Sequence, residues 1–98
     1  MTITKTAENS TLAVKIEGRI DSVTAPQLSD ELTASLAGVT MLILDFKEVG
    51  YISSAGLRVL LAAQKTMNTQ GAMELHNVND ALMDIFAVTG FSSILTIK

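Results

Sequence analysis

Apolar residues recur at every second position early in this chain and at every third or fourth position later, and the two spacings then alternate. Residues 2–7 and 11–17 predict two strands. In the second, Leu12, Val14 and Ile16 alternate with Ala13, Lys15 and Glu17, the period of a strand with one buried face. Glu8-Asn9-Ser10 between them is turn chemistry and predicts a hairpin. A helix follows, with Thr24 as N-cap, Gln27 completing a capping box, and Val23 and Leu28 forming a hydrophobic staple around it. Pro26 suits the first turn, Leu28, Leu32 and Leu36 form a core stripe, and Gly38 is a natural C′ stop.

Val39 to Phe46 contains Met41-Leu42-Ile43-Leu44, a continuous apolar run short enough to be a strand buried on both faces. A short loop then leads to a second helix over residues 54–69, with Leu57, Leu60, Leu61 and Met67 on one side and Arg58, Ala62, Lys65 and Thr69 on the other. Ala72 to His76 reads as a fourth strand. Asn79 caps a third helix that ends at Gly90-Phe91 in a Schellman-type arrangement, and Ile94 to Ile97 reads as a last strand. The order β-β-α-β-α-β-α-β predicts an α/β fold, one domain over residues 1–98, with a mixed, mostly parallel sheet of about five strands. Right-handed crossovers between adjacent strands place all the helices on one face.

Composition narrows the chemistry. The chain has 98 residues, 48% hydrophobic, and no Cys, so disulfides, thiolate metal sites and a cysteine nucleophile are excluded. A net charge of −3 without a basic run argues against nucleic acid as a direct partner. Aromatic residues make up 4% of the chain, too few for stacking platforms, and the single His76 cannot build a histidine metal cluster. No cofactor or metal is expected. The N-terminus lacks the apolar core of a signal peptide, and no apolar run approaches the roughly 18 residues that span a bilayer. The expectation is a cytoplasmic domain with no membrane partner. Met67, Met73 and Met83 suit adaptable core packing.

The most informative stretch is Asp45 to Leu61, in which two serines open a helix. One reading is structural: Ser53 or Ser54 caps the helix and Gly56 lets its first turn pack closely on the sheet. The other is functional. Helix N-termini stabilise anions, so a phosphoryl group on a serine there, carrying about −1.5 to −2 charges, leaves the fold intact and acts on whatever packs over it. Enzyme chemistry is not expected. His76 lies on another strand, no Gly-x-Ser-x-Gly, Walker or dinucleotide motif occurs, and Asp45 and Glu48 read as solvated charges.

Tyr51-Ile52-Ser53-Ser54-Ala55-Gly56-Leu57-Arg58-Val59-Leu60-Leu61 resembles the signature of the STAS domain family, the bacterial anti-sigma factor antagonists in particular. Gly18-Arg19-Ile20-Asp21 and the strand ending at Asp45-Phe46 extend the resemblance over nearly the whole chain. It implies partner switching: the unphosphorylated antagonist binds an anti-sigma factor that is also a serine kinase and frees its sigma factor. Phosphorylation ends the binding, and a PP2C-type phosphatase restores it. The family's modified serine, aligned on Gly56-Leu57, falls on Ser54, with Ser53 as second candidate. The family's preceding Asp is Ser53 here, and its following Ser or Thr is Ala55. The resemblance implies a partner-binding surface of Asp21, Ser53, Ser54, Ala55, Gly56 and Arg58 on a domain that is monomeric when free. Asp21 also reads as an acid in favourable interaction with a helix dipole. The alternative function is a non-phosphorylated accessory or scaffold subunit, such as one of a lipid-transport ABC system or a stress-sensing complex.

Overall fold

A computed structural model describes all of residues 1–98. Two strands, β1 (Thr2–Glu8) and β2 (Thr11–Ile20), form the expected antiparallel hairpin, with Asn9 at φ 57° in its turn. Then come α1 (Ala25–Ser35), β3 (Met41–Ile52), α2 (Ser54–Asn68), β4 (Ala72–His76) and α3 (Asp80–Val88). The sheet order is β1-β2-β3-β4, and β3 runs parallel to both β2 and β4. No helix is long and apolar enough to cross a membrane.

Register aligns the core. Val14, Leu44 and Leu75 lie side by side across β2, β3 and β4, flanked by Leu12, Leu42 and Met73, and all are buried. The helices cover this face with Leu28, Leu32 and Leu36, then Leu57, Leu60 and Met67, then Leu82 and Phe86, in one continuous cluster. Ala13, Lys15, Ile43, Asp45, Glu74 and His76 point the other way and remain partly open to solvent. The strand pattern thus places every helix on one face, as the crossover rule requires. Met67 and Met73 are core residues, whereas Met83 is 37% exposed.

Four local expectations are corrected. The sheet has four strands, because residues 94–97 make only an isolated parallel bridge, Ile97 to Leu75. Gly90, at φ 81°, turns the chain into a 3-10 turn over Phe91–Ser93, which folds Phe91 and Leu95 onto the core before pairing can propagate. Next, β3 continues through the stretch expected to be a loop. The register against β2 shifts twice, between the Lys15–Asp45 and Glu17–Glu48 pairs and between the Gly18–Val49 and Arg19–Tyr51 pairs, and each shift inserts one extra residue in β3; Gly18 lies at φ 112° beside the second. Phe46, Val49 and Ile52, three apart, can therefore all face the core.

Thr24 does not cap α1. Its backbone is helical, and its hydroxyl instead donates to the Arg19 carbonyl at 2.7 Å and accepts from the Asp21 N–H at 2.9 Å. Val23, 83% exposed, forms no staple. Finally, Asp45 is more than a solvated charge: its Oδ1 accepts from the Lys47 N–H and the Asn77 amide, each at 3.0 Å.

Candidate functional site

The parallel ends of β2 and β3 place two chain segments side by side at one end of the sheet. Arg19 pairs with Tyr51 and Ile20 with Ile52, and the Ser53 N–H then donates to the Ile20 carbonyl at 2.8 Å. That bond pins the start of α2 to the last residue of β2. Ser53 is extended (φ −94°, ψ 175°) and serves as N-cap, its hydroxyl oxygen accepting from the Gly56 N–H at 3.4 Å. Ser54 is therefore the first residue of the helix. It is exposed, and its hydroxyl makes no hydrogen bond within the chain.

Gly56 is buried, and the reason is steric. A Cβ here would lie 2.6 Å from Ile20 Cγ2 and 2.7 Å from Ile52 Cγ1, closer than carbon atoms pack. Gly56 thus serves the site by letting α2 start close to the sheet, with no side chain to offer a partner. Ala55 is half-buried and Arg58 is exposed one turn further along. Both line a shallow groove of about 320 Å³ shared with Ser22, Ala25, Pro26 and Ser29 at the start of α1.

Asp21 organises the opposite wall. Its Oδ1 accepts from the backbone N–H groups of Val23 and Thr24, each at 3.0 Å, and the Ala25 N–H bonds to its carbonyl at 2.8 Å. These are the bonds of an N-cap, so the turn leading into α1 begins at Asp21 and not at Thr24. The Thr24 N–H contributes most to holding the Asp21 carboxyl below its ordinary value of 3.8; Val23, the Thr24 hydroxyl and Arg19 add to it, against the opposing effect of burial.

Asp21, Ser53, Ser54, Ala55 and Arg58 therefore gather at one end of the molecule, with Gly56 beneath them. Two further residues belong there. The Arg19 guanidinium lies 4.3 Å from the Tyr51 ring centroid, a cation–π contact, and 3.6 Å from the Asp21 carboxylate. Tyr51 remains 39% exposed, so the pair forms an amphipathic ridge beside the serines. Their meeting depends on cross-strand register, which residue spacing does not disclose. His76 stands apart on the open sheet face, 2.9 Å from Glu74. No three His, Cys, Asp or Glu side chains are grouped so as to hold a metal ion.

An exposed serine at a helix start, beside a strand that ends in Gly-x-Ile-Asp on a four-stranded mixed sheet, is a STAS-type arrangement. Residues 3–96 match the family described as Mlab, STAS domain, and the chain belongs to the STAS domain family. It is 34% identical over 99 residues to BtrV of Bordetella bronchiseptica, named as an anti-sigma factor antagonist; the match covers 99% of this chain and 85% of that protein. The anti-sigma-B factor antagonist of Listeria monocytogenes is 31% identical over 96 residues, covering 96% of this chain and 84% of that one. In three dimensions the fold resembles an anti-sigma factor antagonist from Mycobacterium paratuberculosis, with a TM-score of 0.88 at 24% identity, over 98% of this chain and 83% of that structure.

Proposed function

We propose that this chain is an anti-sigma factor antagonist in a partner-switching pathway, and not an enzyme. In its unphosphorylated form it binds an anti-sigma factor with serine kinase activity and so frees a sigma factor. Phosphorylation of Ser54 abolishes that binding, and a PP2C-type phosphatase restores it. The observation that carries this reading is the division of labour between the two serines. Ser53 uses its hydroxyl as the α2 cap, whereas Ser54 presents a free hydroxyl to solvent at the first helical position.

The physical consequence fits a switch. A phosphoryl group on Ser54 is tolerated by the fold because it sits outside the core at a positive helix end. It adds nearly two negative charges to a surface that also holds Asp21, Ser53, Ala55 and Arg58. A loss of about 3 kcal/mol at such an interface weakens binding roughly a hundredfold. The protein acts in the cytoplasm and is monomeric when free.

A second reading, docking as a non-phosphorylated accessory subunit, is favoured by the description of the matching family as Mlab, STAS domain. One experiment separates the two: incubation with the serine-kinase anti-sigma factor of the same genome and ATP, followed by site mapping by mass spectrometry. Phosphate on Ser54 is expected. Phosphate on neither Ser54 nor Ser53 overturns the switch and leaves the accessory role.

A further inference from the structure

We propose that Arg58 is the internal counter-ion of a phosphoryl group on Ser54, so that modification withdraws this arginine from the partner-facing surface while adding charge to it. This rests on the reading of Ser54 as the phosphorylated residue.

Arg58 stands four residues after Ser54 on α2, so the two share one face of the helix. Side chains on a helix lean toward its N-terminus, which carries the Arg58 guanidinium back over the first turn and toward Ser54. Before modification it has nothing to pair with. The five ion pairs of the chain use Lys5, Lys15, Arg19, His76 and Lys98 as their cations. The helix sequence SAGLRVLLAAQKTMN contains no acid, and the groove residues contributed by α1 and its preceding turn, Ser22, Ala25, Pro26 and Ser29, carry no charge. The other nearby arginine, Arg19, is already committed to Asp21 and to the Tyr51 ring.

Phosphorylation therefore supplies the missing partner. A guanidinium matches a phosphate in charge and in its planar set of donors, giving hydrogen bonds stronger than those between neutral groups. Ser53 lacks this relationship: it lies five residues from Arg58, off the shared face, and its hydroxyl is occupied at the Gly56 N–H. The switch then has two components at one point. The partner meets a dianion in place of a hydroxyl, and it loses a cation that was free to contact it.

The test needs neither kinase nor partner, so its failure is distinct from failure of the switch itself. Phosphoserine is installed at position 54 during translation, and the ³¹P shift is titrated in the otherwise unchanged chain, in R58Q and in R58K. Arg58 favours the dianion, so the second phosphate pKa, ordinarily about 6, is expected to lie about 0.3 unit or more lower with Arg58 than in R58Q. R58K should fall between, and molar salt should shrink the difference. Phosphoserine placed at 53 should show no dependence on residue 58. Equal pKa values at position 54 with Arg58 in place and in R58Q, to within about 0.1 unit, overturn the proposal; so does a dependence on residue 58 seen for position 53 alone. Circular dichroism of R58Q, altered only at an exposed position, verifies that the fold is retained.

Discussion

Gly56 touches Ile20 across the junction of α2 and β2 so closely that a single added methyl would overlap the Ile20 side chain, at 2.6 Å. Both Ile20 and Ile52, the other neighbour of that methyl, are buried and β-branched, so neither can swing aside. Alanine is the better helix former by about 1 kcal/mol, but overpacking costs about 1–3 kcal/mol. Gly56→Ala is expected to lower stability by about 1 kcal/mol net in urea unfolding. Unchanged or increased stability would show that α2 has room to move at its first turn.

The helix caps should differ in their contribution. Asn79 accepts from the Leu82 N–H at 2.9 Å while its amide donates to the Val49 carbonyl, joining α3 to β3. The Ser53 hydroxyl makes a single, longer bond. Asn79→Ala is expected to cost about 1–2 kcal/mol and Ser53→Ala about 0.5 kcal/mol. Chemical denaturation of the two variants side by side checks the order, and a larger loss for Ser53→Ala would contradict it.

Gln64 is a polar side chain inside the core at 6% exposure. Its amide donates to Asn68 at 2.8 Å, but its Oε1 is buried without a partner. Replacement by methionine keeps the length and removes the unsatisfied acceptor. Gln64→Met is expected to raise stability by about 1 kcal/mol, and a lower melting temperature would refute this.

Asp21 and Asp45 are both held below the ordinary carboxylate value of 3.8. For Asp21 the chief cause is the Thr24 N–H; for Asp45 it is the Asn77 amide, followed by the Lys47 N–H. A carboxyl with a depressed folded pKa contributes stability that is fully present above its unfolded pKa. That contribution is lost as pH falls through the folded value. Stability should therefore decline as pH drops below about 4, and less steeply in D21N/D45N, which cannot titrate at these positions. Parallel slopes for the two proteins would remove these carboxyls from the account.

Sequence periodicity and cap chemistry disclosed the hairpin, the three helices and the face they cover, because each depends on residues close in sequence. Three features required tertiary information. The second half of β3 lacks a period-two pattern, since two residues inserted in β3 relative to β2 bring its core residues into line. Asp21 and Thr24 are both competent caps, and the choice is made by the Arg19 carbonyl, which takes the Thr24 hydroxyl. Ile94 to Ile97 is apolar enough for a strand, yet the turn at Gly90 leaves it one bridge. At the site, Ser53 to Arg58 could be read as a contiguous motif, whereas Arg19 and Tyr51 meet only through strand pairing.

In the proposed switch, the state of Ser54 decides whether the partner is held. The most direct test is calorimetric titration of the serine-kinase anti-sigma factor with this chain carrying serine, alanine or phosphoserine at position 54. The serine and alanine forms should bind with similar affinity, and the phosphoserine form about a hundredfold or more weakly. Equal affinity for the serine and phosphoserine forms would contradict the account.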